Sequence, residues 1–414
     1  MPSTRFLRTA VESPVVVFLV ALTARMWVLS QLLRGDFWHN FYRYDEPSHI
    51  AWSLVSGGGY SWPWADTLAM STAQQPPVYP FLLAGIFRLA GAYSYPSLLI
   101  AVGLNAVISA LTAVIILQLG KTVFNTLTGV LAAWVWSCWL YEAVVSVRLW
   151  ESSLSALLLA IGLVLLRKLI VRASPLLWVG LGTLAGVAAL TNTTLLAVFS
   201  CFWLWLWIDK RLAGSSTVGW LAVSVAVCVL LVLPWTVRNY ETFHRLMPVR
   251  DNFGLELWLG NHEGVTEKFD NDFPLLNPAE YNRLGEIRFM ESKRDIALEF
   301  IGQHPGQFLR LVALRVFRFW TTPEKTFWWL ISTLAWVGML RALQNKGRDA
   351  LPYAVVMIVF PLVYYVTHVF STYRHPMEPV IVLLAAYAMV SGLKFLAMRQ
   401  SRSPQRIALT LAVN

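Results

Sequence analysis

Apolar residues in this chain come in long blocks, at positions 14–34, 96–120, 123–141, 151–170, 175–190, 193–208, 217–237, 325–343, 350–370 and 377–398. A helix needs about 20 apolar residues to cross the hydrocarbon core of a bilayer. The pattern therefore predicts an all-α polytopic membrane protein with about ten transmembrane helices. A transmembrane barrel would need short segments of alternating polarity, and these blocks do not alternate. The block at 14–34 is longer than the apolar core of a signal peptide and no small-residue cleavage site follows it, so it reads as an uncleaved first helix. The fifth and sixth blocks are short and meet near Asn192, as the halves of a broken helix would, with their loose backbone buried in protein.

A weaker pattern lies between the first two blocks. In FYRYDEPSHIAWSLVSGGGY, residues 41–60, Pro47 suits the first turn of a helix because it has no N–H to lose there. Glu46 then falls near the N-cap and Asp45 just before it. His49, Ile50, Trp52, Leu54 and Val55 continue the helix until Gly57, Gly58 and Gly59 stop it. Pro76 and Pro77 introduce a second piece, 78–92, which is apolar but too short to span. Both predict juxtamembrane surface helices within one external loop, 35–95.

Composition and charge orient the chain. Of the 414 residues 57% are hydrophobic and 14% charged, and the formal net charge is +10; soluble domains carry about 25% charged residues. No compact basic region accompanies the positive charge, so nucleic acid is excluded as a partner. Arg5/Arg8, Lys121, Arg167/Lys168/Arg172, Lys210/Arg211, Arg341/Lys346/Arg348 and Arg399/Arg402/Arg406 fall on one side when the helices are threaded, which places that side and both termini in the cytoplasm. Only Glu12, Asp209 and Asp349 of the 23 acidic residues share it. The positive-inside rule does not govern acids, so this second bias marks the outer face as the place for chemistry. The three cysteines lie inside apolar runs and suggest neither disulfides nor a metal site. The expected organisation is a single membrane unit over 1–400, with external loops 35–95 and 238–324 (the second covering donor and acceptor), and a basic tail, 401–414.

The outer face collects the carboxylates Asp45, Glu46 and Glu151 and the cations Arg43, Arg148, Arg238, Arg374 and His375. Each has a plainer reading. Asp45 and Glu46 are also what a helix N-terminus attracts, Glu151 can pair with Arg148, and Arg238 can be an interfacial anchor. Arg374 is harder to dismiss, because an external Arg in a very short loop runs against the positive-inside rule. Arg25, inside the first span, must face protein or water and reads as one half of a buried structural pair. Together the carboxylates can deprotonate or orient a hydroxyl, and arginine grips phosphate through its planar fork. His49, Gln75, Tyr79 and Arg148 are candidate substrate contacts. Asp45 and His49 offer two ligands to a divalent metal, too few to define a site; no cofactor is required. A phosphate carried by a membrane lipid fits this face, and the reaction would transfer a group from it to an acceptor hydroxyl or amine.

The order of RYDEPSHIAWSLVSGGGY, QQPPVYPFLLAGIFRLAG, RLWESSLSALLLA, PWTVRNYETFHRLMPVRDNFGLELWLGN and YRHPMEPVIVLLAAYA resembles membrane glycosyltransferases of the GT-C class that use polyprenyl-phosphate sugars. It is most similar to the bacterial family related to protein O-mannosyltransferases and lipid A aminoarabinose transferases. The resemblance implies a GT-C-like fold in the bacterial cytoplasmic membrane, with the active site on the periplasmic or extracellular face. It implies a catalytic acid in the first external loop, matched by Asp45 with Glu46 in support, and a second acidic position matched by Glu151. It also implies basic residues on the donor phosphate, for which Arg238 and Arg374 are chosen with His375 and Arg43. The expected activity is inverting transfer from a polyprenyl-phosphate sugar to a hydroxyl of a lipid or glycan acceptor. The large soluble domain of some relatives is not found after the last span, which disfavours protein as acceptor. A transporter or flippase of a lipid-linked sugar is the rival reading; it calls for internal repeats and midplane ionisable residues, and only Arg25 and Asn192 are candidates for the latter.

Overall fold

The computed structural model describes residues 9–34, 46–62, 70–212, 217–265, 277–321 and 326–401. The expected residues Arg43 and Asp45 lie outside the described residues. In chain order the helices are α1 (Pro14–Leu32), α2 (Glu46–Val55), α3 (Val78–Ala90), α4 (Tyr95–Leu119), α5 (Thr126–Cys138), α6 (Leu140–Ser146), α7 (Ser152–Val171), α8 (Pro175–Ala189), α9 (Thr193–Leu212) and α10 (Val218–Phe243). The long loop then folds as α11 (Phe253–Gly260), α12 (Pro278–Leu284), α13 (Glu286–Gln303) and α14 (Pro305–Thr321). The chain returns through α15 (Thr326–Lys346), α16 (Leu351–Val359), α17 (Leu362–Val366) and α18 (Glu378–Ser401). Strands β1 (Ser61–Trp62) and β2 (Met70–Ser71) pair antiparallel, Ser61 opposite Ser71.

Every predicted apolar block is helical, and several begin with the same local chemistry. Ser13, Ser94 and Ser174 accept a hydrogen bond from the backbone N–H three residues on, and Pro14, Pro96 and Pro175 follow them in the first turn. The number ten is not reached. Among the described residues six helical stretches are long and apolar enough to cross a membrane, or seven if the pair α5 and α6, bent by 63°, counts as one. Helix α8 has 15 residues, roughly 22 Å against a hydrocarbon core of about 30 Å. Helices α16 and α17 break at Phe360–Pro361, where proline removes a backbone donor.

The main core gathers Ile116, Trp136, Leu159, Leu163, Phe199, Phe202, Leu383 and Leu384 from α4, α5, α7, α9 and α18. Helices α8 and α10 approach so closely that a Cβ on Gly182 would run into the Ser224 carbonyl, the close packing that small residues permit between membrane helices. Both surface helices form where the sequence places them. Helix α2 ends in Gly57 and Gly59 at φ +86° and +74°, conformations that other residues rarely adopt. A second core joins α2 to α3 and α4 through Ala51, Tyr79, Leu83, Phe87 and Val102. A third sets Ile50 and Tyr60 against Trp235, Val249, Trp258, Tyr281 and Phe289, so the long loop packs on the first one.

Arg25 is buried but has no carboxylate as its main partner. Its guanidinium donates to Ser109 Oγ (3.0 Å), Ser137 O (2.8 Å), Trp136 O (3.0 Å) and Ala21 O (3.3 Å). The bend between α5 and α6 frees those two carbonyls of α5, and Arg25 satisfies them. The expected buried pair is thus a cation capping a broken helix.

Candidate active site

Six segments meet around a cavity of about 380 Å3. Helix α2 contributes Glu46, the extended stretch before α3 contributes Gln74 and Gln75, and the start of α7 contributes Glu151. The turn between α8 and α9 brings Asn192 and Thr194. The long loop supplies Arg250, Asn252 and Glu256, and the segment 363–376 supplies Tyr364, His368 and Tyr373. Local structure explains why these points stay together. Val78 N–H donates to Leu190 O (3.0 Å), tying α3 to the end of α8, and Asp251 N–H donates to Ala73 O (2.9 Å). Glu286 accepts from Ala73 N–H (2.6 Å) and from the Tyr281 hydroxyl (2.9 Å), so α13 fixes the stretch that carries the glutamines.

Within the cavity Gln75 donates its amide to Glu46 Oε2. Burial pushes the Glu46 carboxyl up to about 7. The Gln75 bond pulls it back, Glu256 raises it and Arg250 lowers it. Arg250 Nη2 lies 3.4 Å from Glu256 Oε1, which also accepts from Asn252 Nδ2 at 2.6 Å. Arg250 Nε is buried and finds no acceptor among the described residues. His368 sits behind this group, with Nδ1 3.3 Å from Glu256 Oε2 and Nε2 3.1 Å from the Tyr373 hydroxyl. The arrangement puts carboxylates, an incompletely satisfied guanidinium and several hydroxyls around one space, which suits a substrate with a hydroxyl to activate and an anion to hold.

The sequence-derived candidates divide cleanly. Glu46, Gln75 and Glu151 line the cavity. Tyr79 is buried beneath it, its hydroxyl accepting from Asn105 Nδ2 at 2.7 Å. His49 meets the Tyr93 ring edge-on at 6.3 Å. Arg148 is exposed, and its carbonyl accepts from Asn105. The expected phosphate ligands among the described residues lie elsewhere, for physical reasons. Arg238 donates to Thr72 O (2.7 Å) and Tyr60 O (3.0 Å) and stacks over Trp235, so it clamps the base of the β1–β2 pair. Arg374 is buried against Glu378, Ser332 Oγ (2.7 Å) and the Trp328 ring. His375 Nδ1 faces Glu142 Oε2 at 2.5 Å, both fully enclosed. The ion pair with Glu378 accounts for an arginine in this short loop. Among the described residues no cluster of three or more His, Cys, Asp or Glu side chains could hold a metal.

Arg250, Glu256, His368 and Tyr373 went unselected in the sequence. Arg250 and Glu256 lie within PVRDNFGLELWLGN and His368 just ahead of STYRHPMEP, so the signal was an ionisable group beside a short apolar helix inside the long loop or just before the last helix.

No protein-family model matches the chain, and no curated protein does. Solved structures do. ArnT from Cupriavidus metallidurans bound to undecaprenyl phosphate superposes with a TM-score of 0.51 at 15% identity, over 95% of this chain and 63% of that one. The fold is that of the GT-C membrane glycosyltransferases. The Archaeoglobus fulgidus oligosaccharyltransferase, in its complex with Zn and sulfate, gives 0.56 at 13% identity over 97% of this chain and 51% of its own. The same enzyme, AglB, with an inhibitory peptide and a dolichol-phosphate gives 0.55 at 14%, over 97% and 54%. The chain therefore spans between half and two thirds of the length of the proteins it superposes on.

Proposed function

We propose that this protein is an inverting glycosyltransferase that moves a sugar from a polyprenyl phosphate to an acceptor hydroxyl at the outer face of the cytoplasmic membrane. The observation that carries this reading is the single cavity lined by Glu46, Glu151 and Arg250, with two further polar walls from Gln75 and His368. A carboxylate of the Asp45–Glu46 pair takes the proton of the acceptor hydroxyl. Asp45 immediately precedes the cavity residue Glu46 and is the proposed base, with Glu46 and Glu151 orienting the acceptor. The acceptor oxygen bonds to the anomeric carbon from the face opposite the phosphate. The bond from that carbon to the phosphate oxygen breaks, and the electron pair leaves on the phosphate. Arg250 replaces Arg238 and Arg374 as the proposed phosphate ligand, because it combines a guanidinium in the cavity with a buried Nε lacking an acceptor among the described residues. The likeness to a GT-C protein captured with undecaprenyl phosphate supports the donor class.

The test is incubation of the purified protein in detergent with a polyprenyl-phosphate sugar and a lipid-glycan acceptor extract. Release of polyprenyl phosphate together with a glycosylated acceptor is expected, and Asp45→Asn should abolish both. Transfer by Asp45→Asn at the wild-type rate would remove Asp45 from the mechanism. Detergent abolishes the two sides of the membrane, so a flippase would give no product at all.

A further inference from the structure

A second cavity, of about 720 Å3, opens at the other end of α7 from Glu151. Arg167, Lys168 and Arg172 line it beside Thr122, and Val171 and Leu176 make its apolar side. Sixteen helical residues separate Glu151 from Arg167, roughly 24 Å at 1.5 Å per residue, so this cavity stands at the opposite membrane boundary from the candidate active site. Arg167 is held by Asp349 Oδ2 at 2.9 Å, from outside the cavity lining. Lys168 and Arg172 remain exposed cations. Lys210 adds charge nearby by donating to Ile170 O at 3.1 Å. Val171 and Leu176 are 70% and 79% exposed. A cationic hollow with bare apolar side chains on its rim matches a molecule that is anionic at one end and apolar at the other.

We propose that this cavity binds the phosphodiester headgroup of an anionic phospholipid, its acyl chains lying on Val171 and Leu176. Lys168 supplies a mobile point charge and Arg172 a planar fork for the phosphate oxygens. Arg167, oriented by Asp349, sets the rear wall. A free inorganic anion would gain nothing from the apolar rim, whereas a lipid uses both parts, and basic hollows at the edge of a bilayer attract such headgroups.

The full-length protein is purified from nanodiscs of phosphatidylcholine alone and of equimolar phosphatidylcholine and phosphatidylglycerol, and lipid adducts are counted by native mass spectrometry. Phosphatidylglycerol is expected to be retained over phosphatidylcholine. The double variant Lys168→Gln, Arg172→Gln, which leaves the Arg167–Asp349 pair intact, should cut that retention about twenty-five-fold, at about five-fold per cation. Arg348→Gln removes an exposed cation outside the cavity lining and should leave retention unchanged. Equal retention of the two lipids would overturn the proposal, and so would an Arg348→Gln loss as large as that of the double variant. Displacement of phosphatidylglycerol by inorganic phosphate would reassign the cavity to a free anion and equally overturn it.

Discussion

Replacing Arg250 by glutamine is the sharpest perturbation of the candidate site. The side chain is 22% exposed, Nη2 is 3.4 Å from Glu256 and Nε has no acceptor among the described residues. Little internal structure therefore depends on the guanidinium, which lines the cavity where a ligand can meet it. In the proposed reaction it makes two charge-assisted hydrogen bonds to the leaving phosphate, each worth about 1.5–3 kcal/mol. They strengthen as charge accumulates on that phosphate, so a loss of about 3–4 kcal/mol is expected in the transition state. Arg250→Gln should then lower kcat/KM by about 10²–10³-fold, read as polyprenyl phosphate released per unit time. Arg250→Lys keeps the charge without the fork and should fall about tenfold. The thermal melting point should stay near that of the wild type for both. An Arg250→Gln protein that melts normally and transfers within about twofold of the wild-type rate would refute the assignment. Arg238→Gln is the informative contrast: it unclamps Thr72 and Tyr60, so the melting point itself should drop.

Three further outcomes follow from the structure. Glu46 is raised to about 7 and orients the acceptor hydroxyl best as the ionised hydrogen-bond acceptor, so transfer should rise with pH through about 7, and Glu46→Gln should lower the rate and flatten that limb of the pH–rate profile without abolishing transfer. The sign for stability is the reverse: the folded state binds the proton more tightly than the unfolded one at Glu46 and at Glu286, also near 7. Their contribution is full below the ordinary carboxyl range and is lost as pH rises through 7. Melting points should accordingly fall between pH 5 and 8, and less steeply in the double variant Glu46→Gln, Glu286→Gln. Arg315, fully buried, donates to the carbonyls of Gly260, Tyr365 (3.3 Å) and Val366 (3.1 Å) and to Asn261 Oδ1 (3.1 Å). Arg315→Met removes this donor from the Gly260 and Tyr365 carbonyls and from Asn261 Oδ1, while Val366 O keeps Asn261 Nδ2 at 2.9 Å, and should destabilise by about 3–5 kcal/mol, seen as a lower melting point in detergent.

What could be read from the sequence was whatever neighbours in the chain decide. Ser–Pro starts, the glycine stop after Val55 and apolar blocks of helical length are local instructions, and all of them appear as helices. Glu46 and Glu151, which line the cavity, stand out in the sequence because an acid at the mouth of an apolar helix is conspicuous, and Gln75 because it precedes a proline pair. The cations do not. Arg238 looks free in the sequence, but its partners Tyr60 and Thr72 lie 178 and 166 positions away; Arg374 has Glu378 four residues on, yet Ser332 lies 42 positions away, and only the packed chain shows that the pair is enclosed. Arg250 was hidden in the opposite sense: it stands beside Asp251, which suggests a local pair, yet Asp251 points its backbone to Ala73 and leaves Arg250 to the cavity. The count of ten spans is not confirmed where length is the guide, at α8, since a short helix reveals its depth only through the neighbours that cover it.

The contacts of Arg25 bear on how the chain is made. A cation at the middle of a single helix costs about 2.5–3.5 kcal/mol to place in lipid. The groups that satisfy it, Trp136 O and Ser137 O, are synthesised 111 and 112 residues later. During biosynthesis α1 therefore waits in a polar or protein-lined environment until α5 and the bend after it arrive, and the two then settle into the bilayer as a unit. A nascent chain ending after α1 should integrate poorly compared with its Arg25→Leu counterpart, and chains ending after α6 should integrate alike; an equal yield at the shorter length would show that the first helix enters lipid unaided.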